Sequence, residues 1–529
     1  MGKVIRTVAV IALAVAVSVF APQLTPAFLT AAVGATAATA ITGAVLTLAG
    51  GMMMQALAPT PKAPGTQPFN YRNSVSNSFL IIGKRRQGGK LIFYHPAKVF
   101  GSHYRYFIWA AAGHRCKGVV RWWLNDEEVT VNPSTGMVTS GKYAGDAWLW
   151  FGRGSYDTDE TPANWRAETG GKWSSEHVGY GIAKLYCKFK MTKDVVEAGM
   201  PTMTAEIEGT DEVADPRSGI VGYTRNAILA FYWWLRLPRE EGGFGAADDE
   251  MPDDDLVSAW ANICEEACDD GNGGTEERYA FDSLIETGAT PSQVRQTFVT
   301  CCAGSFTYSE GQFLLRPGYW TPPSATLSED DLAGGIGVSP MLLGEEVATE
   351  VNGTFVDPES NYQPQPVPTR SIASADVRQI DVDLAHVTSH ARGQRILEII
   401  LRRAQCEKRV SWPMNIAGIA TRAMQTVQLG TARYGLSNYA FVIDSWGLSQ
   451  DFGVALKLRE ENAEIYDEPV LKPKVATAVP DTAEVIPVEA DSAASAEKSA
   501  EVSDGTITYT PAQIAALEDR INALENPEP

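Results

Sequence analysis

Apolar and polar positions divide the chain into stretches of different rhythm. After Lys3 and Arg6 comes "TVAVIALAVAVSVFA", then "AFLTAAVGATAATAITGAVLTLAGG", and no charged residue occurs between Arg6 and Lys62. The first run has signal-peptide length, and the second is long enough to cross a bilayer as a helix, which takes about 20 residues. Three readings of residues 1–60 stay open: a cleaved secretion signal, a membrane anchor, or a segment packed inside an assembly and released into a membrane later. The residues that would carry a lumen or membrane role are Val8, Ile11, Phe20, Phe28, Val45 and Leu48. A Pro-rich linker follows at residues 61–68.

From there the rhythm is mostly that of strands. "NSFLIIGKRRQGGKLIFYH" predicts a hairpin around Gly88-Gly89, with Lys84-Arg85-Arg86 as a solvated turn. "YFIWAAAGH" and "GVVRWWLNDEEVTVN" read as further strands, and "GIAKLYCKFKM" alternates as a half-buried strand does. Helices are few. "TRNAILAFYWWLRLP" has helical spacing and stops before Pro238, and "PDDDLVSAWANICEEACDD" opens on acidic residues that suit a helix N-terminus. "TPSQVRQTFVTCCAG" offers Thr290 as cap and Pro291 in the first turn, with "SFTYSEGQFLLRPG" as a hairpin after it. Between Val351 and Tyr466 strands return, with one helix in "SHARGQRILEIILRRAQ".

Past Leu471 the chain is Ala-, Pro- and acid-rich, with no aromatic residue from Lys472 to Gly505, a composition that predicts disorder over 471–509. "TPAQIAALEDRINALE" then places Ile514, Leu517, Ile521 and Leu524 at steps of three, four and three. That is a heptad seam, equally suited to one helix docked on the body and to a short coiled coil at 510–529.

The expected fold class is α+β with β dominant: multidomain β-barrel or β-sandwich domains, a few helices, an apolar N-terminal segment and a C-terminal coiled-coil helix. Within the body the pattern divides into β-rich domains at 69–240, an α+β domain at 241–330 and a β-rich domain at 331–470. The 529 residues, 44% hydrophobic, suffice for several cores.

A net charge of -20 argues against a protein that coats nucleic acid, so no sequence-specific nucleic-acid binding is expected. Seven cysteines in so long a chain make no disulfide framework. Cys264 and Cys268, four apart, would share a helix face, and Cys301-Cys302 adjoin; the spacing is not that of a zinc site, and buried free thiols are the simpler reading. His386 and His390 are also four apart but lack a third ligand, and the loop around Asp270, Asn272 and Gly274 lacks the closing Glu of a calcium loop. Paired carboxylates at Glu127-Glu128 and Asp253-Asp254-Asp255 read as solvated. No phosphate loop, dinucleotide fingerprint, nucleophile elbow or HExxH pair occurs. Neither an enzyme nor a cofactor is expected.

A run of segments in one order resembles the core of phage tail-tip proteins related to the tip attachment protein of phage lambda. It begins at "GKRRQGGKLIFYH" and passes through "NDEEVTVNPSTGMVTSGKYAG", "GIAKLYCKFK", "ERYAFDSLIETGATPSQV" and "GSFTYSEGQFLLRPGYWTPPSATLSEDDL". "NGTFVDPESNYQPQPVP" and "ARYGLSNYAFVIDSWGLSQDFGVALKLREENAEIYD" close it, so that most of Asn70–Asp467 is covered. The resemblance implies a homotrimeric structural hub at the tail tip of a virion. Its partners would be distal tail, other minor tail and tape-measure proteins, and a fibre or receptor-binding protein. The terminal seam would serve as oligomer or fibre interface, and the apolar segment would contact the host membrane during ejection. The chain departs from the family after the core, where a linker and one short helix replace long fibre-like regions. Two other readings compete: a host-recognition protein binding the bacterial surface directly, and a membrane-anchored or secreted β-rich bacterial protein.

Overall fold

The computed structural model describes residues 77–474 apart from 342–346, 375, 432, 438 and 450–451. Val8, Ile11, Phe20, Phe28, Val45 and Leu48, and the seam Ile514, Leu517, Ile521 and Leu524, lie outside the described residues. The described chain is β-dominant with six helices.

β1 (Phe79–Ile82) leads into two four-stranded antiparallel sheets, built from β2 (Lys84–Gln87), β3 (Lys90–Val99), β4 (Ser102–Ala112), β5 (Cys116–Leu124), β6 (Glu127–Val129), β7 (Ala147–Gly152), β8 (Ala183–Lys190) and β9 (Met203–Thr210). Their orders are β3-β4-β8-β7 and β2-β9-β5-β6. On β4 and β8, Phe107, Trp109, Leu185, Cys187 and Phe189 face Met203, Ala205 and Ile207 of β9 across a shared core. The intervening Tyr106, Ile108 and Tyr186 face the other way, under Trp165 and Trp173. Burial on both faces is why these strands read as nearly continuous apolar runs. Trp165, 1% exposed, sits on helix α1 (Trp165–Glu168) and meets Tyr106 and Tyr186 edge-on at 5.0 and 5.3 Å. A second short helix, α2 (Lys193–Ala198), links β8 to β9.

Two expectations fail here. Gly88-Gly89 does not close a hairpin: β2 pairs with β9 while β3 pairs with β4, so the two glycines pass the chain between sheets. Nor are Lys84-Arg85-Arg86 a solvated turn. They form β2, with Arg85 and Arg86 buried. Tight turns of this body fall instead at Phe100-Gly101 between β3 and β4, with φ of 47° and 83°, and at Asn125-Asp126 between β5 and β6, with φ of 53° and 63°, left-handed pairs that suit a two-residue hairpin.

Next come the hairpin β10 (Val213–Asp215)–β11 (Ile220–Gly222), helix α3 (Ala227–Arg236), helix α4 (Asp254–Cys264), the hairpin β12 (Ala267–Asp269)–β13 (Thr275–Glu277), β14 (Ser283–Glu286), helix α5 (Pro291–Cys301) and the hairpin β15 (Ser305–Ser309)–β16 (Gln312–Arg316). β14 returns to pair with β1. α3 is buried almost all round, as a central helix must be when its sequence is "AILAFYWWLR". Asn226 caps it, accepting from the N–H groups of Ile228 and Leu229, and its amide donates to the Ala261 carbonyl of α4 at 2.9 Å. Thr290 and Gln293 form the capping box of α5 with Pro291 in its first turn, as the sequence predicts.

The last part holds β17 (Ala325–Ser328), β18 (Gly337–Ser339), β19 (Glu350–Asp357), β20 (Gln363–Ser371), β21 (Gln379–Leu384), helix α6 (His390–Ala404), β22 (Arg409–Met414), β23 (Thr426–Gly430), β24 (Ala440–Leu448) and β25 (Val454–Glu461). They form a sheet of order β20-β19-β21 and another of order β17-β23-β24-β25-β22-β18. α6 lies on the first, burying Ile396, Leu397, Ile399 and Leu401 in the same core as Val351, Phe355 and α3. Gly393 permits that approach, since a Cβ there would lie 3.0 Å from Val367. β20 is an edge strand with Pro364, Pro366 and Pro368 at alternate positions, where the N–H groups they lack are not needed by the ladder.

Candidate functional site

A cleft of about 530 Å³ opens where β2, β5 and β9 meet β13, the β19–β20 turn and the start of α6. Its construction begins with a carboxylate that the solvent never reaches. Asp282 accepts from Arg225 Nε at 2.9 Å and Nη2 at 2.6 Å, from the Lys84 backbone N–H at 2.9 Å, and from the Thr388 hydroxyl. Burial alone would raise this carboxyl; the Arg225 charge and the converging donors outweigh it and hold it down at about 2. Arg225 is raised in turn, chiefly by the Asp282 charge. Three distant stretches of chain are thereby tied together: β2, the entry to α3 and the entry to α6.

Glu206 on β9 is a second such node. Arg121 grips it through Nε at 2.7 Å and a second, shorter bond from Nη2. Arg121 and Arg86 both lie over the Trp123 ring, 5.0 and 4.5 Å from its centroid. Arg86 also donates to Thr204 at 2.8 Å, to Asp126 at 2.5 Å and to the Asn361 carbonyl at 3.2 Å. The last bond joins the β19–β20 turn to the first pair of sheets, where Tyr362 packs against Trp123 and Val356. On the α6 side, Arg392 donates to the Glu277 carbonyl at 2.9 Å and pairs with Glu276 at 3.3 Å, while Ser389 caps the helix by accepting from the Arg392 N–H.

The residues singled out from sequence fall elsewhere. α4 ends at Cys264, and Cys268 stands in β12, so the two do not share a helix face. Cys301 and Cys302 are buried, donating to the carbonyls of Ala280 and Phe298, and burial pushes both thiols well up. Among the described residues, no group of three or more His, Cys, Asp or Glu is placed to hold a metal ion. His386 precedes α6 and His390 begins it, so they too lack a common helix face. His386 stacks on Phe281, and its ring nitrogen lies 2.7 Å from the Ser283 hydroxyl. Asp270 turns the β12–β13 hairpin, accepting from the N–H groups of Asn272 and Gly274. Glu127, Glu128 and Asp253 to Asp255 are exposed, as read. The Asp282 node escaped sequence reasoning. Its one signal was an acidic residue inside the apolar run "YAFDSLIE".

Residues 296–445 match a family model described as a putative phage tail protein. The chain is similar in fold to a chain from the virion of a native gene transfer agent particle, with a TM-score of 0.55 at 16% identity over 85% of this chain and 99% of that one. Looser similarity extends to the 43 kDa tail protein of prophage MuSo2 from Shewanella oneidensis, at 10% identity over 75% of this chain and 100% of that one, with a TM-score of 0.26. It also extends to the prophage tail protein gp18 of Listeria monocytogenes EGD-e, at 10% identity over 69% and 86%, with a TM-score of 0.25. No curated protein matches. The family match supports a structural protein of a phage-type tail, and the body has a fold found in a gene transfer agent virion.

Proposed function

We propose that this chain is the hub at the tip of a long bacteriophage tail, where it closes the tube, anchors fibres or receptor-binding proteins and opens for genome delivery. The observation that carries the reading is the tail-family match at 296–445 in a chain that shares a fold, over 85% of its length, with a gene transfer agent virion chain. The order of tail-tip-like segments through Asn70–Asp467 supports the position at the tip. The hub acts as a homotrimer, contacting distal tail and tape-measure proteins above and a fibre below, and its work is mechanical rather than catalytic. Buried charge clasps such as Asp282–Arg225 suit such a body, because they fix the relative placement of its sheets. Gold-labelled antibody against the body should decorate the distal end of intact tails in electron micrographs. Label spread along the tube or confined to the head would sink the reading.

A further inference from the structure

The cleft carries an asymmetry of exposure that its internal ion pairs do not require. The side chains of Lys84, Arg121 and Arg225 are 33%, 33% and 32% exposed, whereas Glu206 and Asp282, which hold them, are 3% and 0% exposed. A solute entering from outside meets Lys84 and Arg225 ahead of their counter-charges, whereas Arg121 also pairs at 3.6 Å with Glu128, which is 55% exposed. Arg121 and Arg225 are each fixed by two bonds from the guanidinium. Lys84 is different: its ammonium stands 3.7 Å from Glu206 and 3.8 Å from Glu208, beyond ordinary hydrogen-bond length, and so has donors to offer. Thr388 and Ser389, at the positive end of the 15-residue helix α6, border the same space. On the β13 side Glu277 also lines the cleft, as does Glu276, which is engaged by Arg392 at 3.3 Å and Arg395 at 3.6 Å.

We propose that this cleft docks an acidic peptide segment of a neighbouring protein, with a carboxylate seated on the Lys84 ammonium in the field of Arg121 and Arg225. A space of about 530 Å³ admits a few side chains and no nucleic-acid duplex, and Pro358 and Tyr362 supply an apolar wall for a peptide. The net charge of -20 repels a long polyanion, while a short acidic segment, no longer than the few residues the cleft admits, feels mainly the local cations. The proposal goes beyond the hub reading and is independent of where in a virion the chain sits.

Fluorescence anisotropy with the purified full-length chain tests it, using labelled hexaglutamate, hexaglutamine and hexathymidylate as probes. Hexaglutamate is expected to bind at least about ten-fold tighter than hexaglutamine, and K84E to weaken it about ten-fold or more. K84Q is expected to lose less than K84E, which separates the charge from any damage that a new carboxylate beside Glu206 does to the fold. K193E, at an exposed lysine of α2 that pairs with its helix neighbour Glu197, is expected to leave binding within about two-fold. Equal binding of hexaglutamine, equal loss in K84E and K193E, or tighter binding of hexathymidylate would each overturn the proposal.

Discussion

At Asp282 a carboxylate with no solvent exposure is tolerated because four donors converge on it. Asp282→Asn leaves Arg225 facing a neutral group at a buried site, and the expected loss of stability is about 3–5 kcal/mol, read by chemical denaturation. A loss below about 1 kcal/mol would show that the clasp is not what joins these segments. A second residue-scale prediction concerns pH. His114 accepts from the Ile81 N–H at 2.8 Å and has its other ring nitrogen 2.8 Å from the Arg115 carbonyl, a neutral ring whose burial lowers its proton affinity to about 4. His386 is lowered to about 3, again by burial. Because the folded values lie below the ordinary 6.5, the unfolded chain takes up these protons first. Their contribution is complete above about pH 6.5 and shrinks as pH falls towards 4, by up to about 3 kcal/mol for His114. Denaturation midpoints at pH 7.5 and 4.5 check the slope, and a flat profile would refute it.

Among elements, much of the cover on the outer face of the β3-β4-β8-β7 sheet comes from one side chain of a four-residue helix. Trp165 closes over Tyr106, Tyr186 and Trp150, with Trp173 as the other buried tryptophan of the cluster. Trp165→Ala is expected to cost about 3–5 kcal/mol through the cavity it leaves, with the near-ultraviolet aromatic signal reduced. Sequence reading fared well with elements whose partners are local. The caps of α5, the stop of α3 before Pro238 and the Glu310-Gly311 turn of β15–β16 all follow from residues within a few positions. It failed at Gly88-Gly89, because a glycine pair permits a turn without specifying which strand comes next in the sheet. It failed again at Arg85 and Arg86, because charge predicts exposure unless a counter-charge arrives, and here that partner comes from Asp126 for Arg86, 40 positions away.

For the whole molecule, the hub reading makes three demands. Mass measurement of isolated tail tips should find three copies, and a monomer in intact tips would end the trimer. Residues after Pro473 are expected to be dispensable for folding because the linker lacks large apolar residues to pack, the loss of Lys474 as partner to the buried Asp357 being the one cost to the body. Leu517→Asp with Leu524→Asp should leave the body's melting unchanged while lowering fibre attachment, and unchanged infectivity would refute that role. Purified particles should still contain a peptide from near Met1; a mature chain that starts beyond the apolar run would favour the secretion-signal reading.

Read alone, the sequence determined β dominance, the four longer helices with the Thr290 cap of α5 and the stop of α3 before Pro238, and the free, buried character of the cysteines. These depend on periodicity, local hydrogen bonding and transfer from water, all properties of a few neighbouring residues. Sheet order, the passage from β2 to β3 between sheets, the return of β14 to β1 and the cleft of about 530 Å³ were decided only in three dimensions. A buried ion pair is the clearest case of the difference. Arg225 and Asp282 stand 57 positions apart, Thr388 is 106 beyond Asp282, and each is an unremarked polar residue until folding takes the water from around Asp282 and brings the other two, with the Lys84 N–H, within bonding distance of it.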